Sequence, residues 1–216
     1  MPAVFLDITM SLDGYVAGPD PGPEQPLGKG GEGLHEWAFG LASFQERHGR
    51  SGGETNADDE VVAEGLARQG AVVMGRGMFG GGGGPWGDDP WEGWWGDDPP
   101  FRMPVFVVTH HAREPLTKQG GTTFTFVTEG MQAAVDQARS AAGEKDVLVA
   151  GGAAVAQQAL ASGLLDDIQI HLAPMLIGGG VRLFDRLPEL CTLEKTRVID
   201  SPGVTHLRFD VGSRGA

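Results

Sequence analysis

Two segments far apart in the chain share one construction. Val72-Val73-Met74 and Val147-Leu148-Val149-Ala150 are apolar at every position, and each runs straight into glycine, at Gly75 and at Gly151-Gly152. A strand with no polar face has to be covered on both sides, which is the condition of central strands in a parallel sheet. Similar runs stand at Val4–Thr9, Val105–Thr109, Thr123–Val127 and Ile168–Leu172. Between them lie segments of helical period: Gly33–His48, Asp58–Gln69, Met131–Ala142 and Ala153–Ser162. Strand and helix alternate through residue 172, so the expected class is α/β with a mostly parallel sheet. At the end the rhythm breaks. Leu193–Ile199 and Thr205–Val211 flank Asp200-Ser201-Pro202-Gly203, which predicts a C-terminal antiparallel hairpin.

No composition shift or linker divides the 216 residues, so residues 1–216 are expected to form one domain. The formal charge of −13 opposes binding to nucleic acid or an anionic membrane. A lone cysteine, Cys191, excludes an internal disulfide and a cysteine-rich zinc site. The N-terminus lacks the basic region of a signal peptide, and no apolar run has the length of a membrane span; a cytoplasmic protein is expected.

Gly75, Gly77 and Gly80 satisfy the literal dinucleotide pattern G-x-G-x-x-G, but five glycines at 80–84 follow where a helix should run, and Asp97 and Asp98 lie in a loop. A Rossmann loop is therefore excluded. What survives is a strand ending in Gly-Arg, whose free N–H groups and Arg76 fork suit a phosphate. The second corner repeats the idea. Gly151-Gly152 lets the backbone approach a ligand, and Ala153-Ala154-Val155 opens a helix whose N-terminus favours anions. Two such corners at the carboxyl ends of strands mark the place where open α/β sheets bind ligands.

The ordered set DITMSLDGYVAG at 7–18, VVMGR at 72–76, PVFVVTH at 104–110, VLVAGGAAVAQQAL at 147–160 and IHLAPMLIGGGVRLF at 170–184 resembles the dihydrofolate reductase-like family, in the branch that contains the reductase domain of bacterial riboflavin biosynthesis. The resemblance spans essentially the whole chain. It implies a three-layer fold with a sheet of about eight strands, an NADPH-dependent oxidoreductase and a homodimer. Position by position it implies that Gly75, Arg76 and Gly77 hold cofactor phosphate. Thr109 and His110 stand where the adenosine 2′-phosphate and adenine rest, and Gly151, Gly152, Ala153, Ala154 and Val155 form the pyrophosphate turn. Leu12, Asp13 and Gly14 begin the loop beside the nicotinamide. Met78 departs from the family's threonine, which removes one phosphate contact.

Hydride transfer to C=N or C=O calls for a proton source, often a carboxyl. The helix before the Gly-Arg strand begins Asn56-Ala57-Asp58-Asp59-Glu60, and the stripe of Val62 and Leu66 extends back to Asp58 and Asp59. Asp59, then Asp58, are the candidates; first-turn acids beside an Asn N-cap also have a plain capping role, and both readings stay open. Glu36 is a further acid candidate, and His35-Glu36 does not make a zinc-protease motif. His171 alternates with apolar neighbours and faces either the substrate or the core. Asp7 sits in an apolar strand and is placed to bond across the sheet. Gly178–Gly180 reads as a turn before Arg182. The glycine-rich stretch 80–104 carries four of the five tryptophans and repeats Trp-Gly-Asp-Asp-Pro at 86–90 and 95–99; it packs by its own indoles or covers a ligand.

The functional expectation is an NADPH-dependent reductase of a small pyrimidine- or pterin-like heterocycle. The alternatives are a non-catalytic nucleotide-binding module of the same fold, or the 5-amino-6-(5-phosphoribosylamino)uracil reductase of riboflavin biosynthesis. The zinc deaminase domain often fused to the latter has no counterpart here, because one cysteine does not make H-x-E with P-C-x-x-C.

Overall fold

A computed structural model describes residues 1–212 except 23, 89, 186, 188 and 189; Asp89 of the first Trp-Gly-Asp-Asp-Pro copy thus lies outside the described residues. In chain order the elements are β1 (Val4–Ser11), β2 (Tyr15–Ala17), a 3-10 turn (Gly31–His35), α1 (Glu36–Phe39), α2 (Ala42–Arg47), α3 (Ala57–Arg68), β3 (Gln69–Gly75), α4 (Arg76–Phe79), β4 (Pro104–Val108), β5 (Leu116–Thr117), β6 (Thr123–Val127), α5 (Met131–Ala142), β7 (Asp146–Gly151), α6 (Ala153–Ala161), β8 (Asp167–Ala173), β9 (Val181–Arg182), β10 (Leu193–Ser201) and β11 (Val204–Val211).

Nine of the strands form one sheet in the order β10-β11-β8-β1-β7-β3-β4-β6-β5, and β2 pairs with β9 in a small second sheet. The six strands from β8 to β6 run parallel, while β11 and β5 add antiparallel edges. The expected sheet of about eight strands thus has nine, and the C-terminal hairpin is β10–β11. The helix expected over Gly33–His48 is three short pieces, because non-helical backbone at His35 and the extended Leu41 interrupt it. No helix is long and apolar enough to cross a membrane among the described residues.

The alternation of side chains along β1 divides the interior in two. Val4 and Leu6 face the helices α5 and α6 and join the larger apolar cluster, with Ile8 and Met10 packed against it. Phe5 faces the other way, into a cluster with Val72, Met74, Phe79, Phe101 and Phe124. The Trp-rich stretch covers that second face. Trp86, Trp91 and Trp94 donate their indole N–H groups to the carbonyls of His111, Phe79 and Met78, and Trp95 packs on Phe101 and Phe124. Its indoles are spent on structure, so of the two readings of this stretch the packed one describes the geometry. Arg68 closes the amino end of the sheet, reaching Asp146 at 2.9 Å and Asp167 at 2.8 Å across Phe5.

Candidate active site at a split in the parallel sheet

β1 keeps its pairing with β8 from Phe5 to Ser11, but pairs with β7 only from Val4 to Leu6. β7 meanwhile stays with β3 as far as Gly151. The sheet therefore opens between β1 and β7 beyond Leu6, flanked by Asp7 and Thr9 on one bank and by Ala150 and Gly151 on the other. The chain crosses over opposite faces on either side of this gap, α3 leading into β3 and α6 into β8. That is a topological switch point, where α/β sheets take their ligands.

Both glycine corners stand on the same bank. Met74 pairs with Gly151, so the ends of β3 and β7 lie level. At Gly75 an added Cβ would lie 2.7 Å from Val155 Cγ2, whereas at Gly77 and Gly152 it would meet nothing within 4 Å among the described residues. Close packing at one glycine and open space at two others leave room along the backbone there, and the first-turn N–H groups of Ala153 and Ala154 in α6 have no intrahelical acceptor. The peptide Gly151–Gly152 is cis.

The other predicted residues are distributed as follows. The Arg76 guanidinium turns back to donate to the carbonyls of Gly81 and Gly82 and lies 3.0 Å from the Trp86 ring centroid. Its Nη1 is buried with no partner among the described residues. Burial, and then the nearby Arg113, push Arg76 down to about 10; Arg113 approaches the same ring at 4.6 Å. Two crowded guanidinium groups and an unpartnered N–H are the conditions an anionic ligand relieves. Thr109 is buried and accepts a hydrogen bond from His111 N–H, while His110 is exposed. Asp13 is held down to about 2 by its hydrogen bonds from Ser11 Oγ and from the N–H groups of Gly178 and Ile177. It therefore ties the loop after β1 to the Gly178 turn. Leu12 projects into solvent, and Gly14 sits beside Arg182.

The two acid candidates part company. Asp59 is buried, and its carboxylate accepts from Ser43 N–H at 2.7 Å, joining α3 to α2. Asp58 instead reaches the sheet, accepting from Ser201 Oγ and lying 2.9 Å from His206 Nε2. His206 Nδ1 lies 2.6 Å from His171 Nδ1, and His171 Nε2 lies 2.7 Å from Asp7 Oδ1. Glu36 is exposed on α1 and takes no part.

Trp37 covers both imidazoles, with centroids 4.8 Å from His171 and 5.2 Å from His206. Burial, and then the neighbouring His171, hold His35 down to about 4. Burial pushes Arg47 down, and the Asp7 carboxylate opposes this. His206 and Trp37 were not anticipated as site residues. The alternation Thr205-His206-Leu207 resembles Ile170-His171-Leu172, but only the antiparallel register of β11 on β8 shows that the two histidines are paired.

A larger surface depression of about 560 Å³ beside Phe106 and Asp136 lies on the α5 face, away from all of these groups.

Residues 2–205 match the RibD C-terminal domain family, and the chain belongs to it. Among solved structures it is similar to a protein of Shewanella sp. PV-4 assigned to riboflavin biosynthesis, at 20% identity and a TM-score of 0.66 over 98% of this chain and 99% of that one. It is also similar to a pyrimidine reductase-like protein of Corynebacterium diphtheriae (13%, TM-score 0.55, 99% and 93%) and to a riboflavin biosynthesis reductase of Saccharomyces cerevisiae (15%, TM-score 0.54, 98% and 90%). At these identities the likeness speaks for the fold. No curated protein matches the chain.

Proposed function

We propose that this chain is a reductase that uses NADPH to deliver hydride to a small pyrimidine- or pterin-like heterocycle. The observation that carries the reading is the level pairing of the two glycine corners beside the split in the sheet. Gly75 and Gly77 on one strand end, and Gly151 to Val155 on the next, would hold the diphosphate. Arg76 and Arg113 would face the adenosine phosphate, which is the reason for preferring NADPH to NADH. When bound, the dihydronicotinamide supplies hydride; the chain supplies orientation, exclusion of water and a proton. The substrate would then sit on the bank formed by Asp7, Thr9 and His171 under Trp37. A homodimer accords with the family resemblance.

Titration with NADPH and NADH, followed by tryptophan fluorescence and by calorimetry, tests the cofactor. Saturable NADPH binding, at least tenfold tighter than NADH, is expected. Oxidation of NADPH at 340 nm with a panel of pterins, pyrimidines and quinones tests the reaction. Tight NADPH binding with no turnover across the panel would favour the non-catalytic nucleotide-binding module, and no NADPH binding would remove the reading altogether.

A further inference from the structure

Asp7, His171, His206 and Asp58 form one continuous hydrogen-bonded chain across β1, β8, β11 and α3. Its proton count is informative. Three contacts, of 2.7, 2.6 and 2.9 Å, each need one proton between their heavy atoms. Two neutral imidazoles and two ionised carboxylates carry only two protons. In that state one contact would set two lone pairs against each other in a buried site, a penalty comparable to an unmade hydrogen bond.

We propose that the quartet holds a third proton at neutral pH, resting on His171 as an imidazolium, and that Asp7 is the catalytic carboxyl through which this proton reaches the substrate. The use of the proton rests on the reductase reading; its presence does not.

Several observations place it on His171 rather than on His206. His206 is the more deeply buried, with 2% of its side chain exposed against 7% for His171, and burial pushes it down. His171 lies at 2.7 Å from Asp7, and Trp37 presents its ring 4.8 Å away, a favourable partner for a cation. The assignment then follows bond by bond. His171 donates from Nε2 to Asp7 and from Nδ1 to His206, and His206 donates from Nε2 to Asp58.

The remaining charged neighbours agree. Arg47 of α2 balances the one net negative charge, and the neutral His35 adds none. Asp59 of α3 is spent on Ser43 N–H. Glu64 pairs with Arg197 and Arg208, and Arg68 with Asp146 and Asp167.

Asp7 is the delivering end because of its place in the sheet. It is the first residue of β1 beyond the pairing with β7, and at 21% its side chain is more exposed than either imidazole. A bound dihydronicotinamide would supply hydride to the carbon of a C=N or C=O bond, whose π pair would pass to the heteroatom. That atom takes a proton from the Asp7 carboxyl, which has received it from His171 Nε2. Neutral His171 is then recharged from solvent. A polar cavity of about 10 Å³, lined by Asp7, Gly65, Arg68 and Gln169 among others, has the size of a single water beside the Asp7 end of the chain. His171 and His206 act through Asp7 and are positioning residues.

The resting proton is read by ¹⁵N correlation spectra of the histidine rings in the unliganded protein at pH 7.5. Protonation of three of the four ring nitrogens of His171 and His206 is expected; two would overturn the stored proton. Delivery is read with any panel compound that the wild type reduces. His206→Gln and Asp58→Asn keep a hydrogen bond but break the proton chain. Each is expected to lower kcat about a hundredfold at pH 8 and only a few-fold at pH 6, with KM and NADPH affinity unchanged. An equal loss at both pH values, in variants that melt like the wild type, would show a structural role and overturn delivery. If no compound is reduced, the reductase reading and delivery at Asp7 fall together, while the spectra still decide the proton.

Discussion

Gly75 and Gly77 are two residues apart and have opposite surroundings, which makes them a matched test. At Gly75 a methyl group would press on Val155 Cγ2 at 2.7 Å, and valine in a helix has little rotamer freedom to yield. Gly75→Ala is expected to cost about 1–3 kcal/mol in stability, read by urea denaturation, and to weaken NADPH binding at least tenfold. At Gly77 an added Cβ would meet nothing within 4 Å among the described residues, and the residue is helical. Gly77→Ala should leave stability unchanged or slightly raised, since alanine is the better helix former. It should nevertheless weaken NADPH binding, because the methyl enters the space assigned to the diphosphate. If Gly77→Ala binds NADPH like the wild type, that space is not where the cofactor lies.

At the scale of elements, α3 does two things at once. Its first turn is capped by Asn56, whose side chain accepts from Asp59 N–H at 3.0 Å, and the same turn presents Asp59 to α2 and Asp58 to β11. Asn56→Ala is expected to lower stability by about 1 kcal/mol. If the cap also sets the position of Asp58, the ring signals of His206 will shift in the same variant; unchanged signals would confine the cap to stability.

This helix also shows what the chain alone discloses. Its 3.6-residue stripe pointed correctly to Asp58 and Asp59 as inward-facing, since that depends on local spacing. Which of them meets a histidine depended on where a hairpin carrying His206, 148 residues from Asp58, would dock, and no local pattern encodes that. The glycine corners were legible for the opposite reason: each is a strand end followed by glycine, written entirely in adjacent residues. The destination of Arg76 was not, because its partners come from the following glycine loop, whose path is decided by indole packing. The single helix expected over Gly33–His48 failed at His35 and Leu41, where backbone geometry prevailed over periodicity.

For the whole molecule, the buried histidines predict how stability responds to acid. His35 titrates at about 4 in the folded protein against an ordinary value of 6.5, so between these values the unfolded chain binds a proton that the folded one refuses. The contribution of His35 is therefore fully present above pH 6.5 and declines as pH falls toward 4. His206 is shifted in the same direction. Between pH 7 and pH 5 the loss from His35 alone is about 2 kcal/mol, and His35→Gln should remove that share, flattening the urea midpoint across the range. An identical slope in the variant would show that other groups govern the acid limb.

The hairpin β10–β11 brings the last of the four linked groups to a centre begun by Asp7, and it is made after every other strand of the sheet. During synthesis β1 to β8 emerge while the imidazole of His171 still lacks its companion. Competence thus arrives late and all at once, when the ribosome has released residue 206 and β11 zips onto β8. A nascent chain stalled before that point would lack His206 and be unable to hold its reserve of acid.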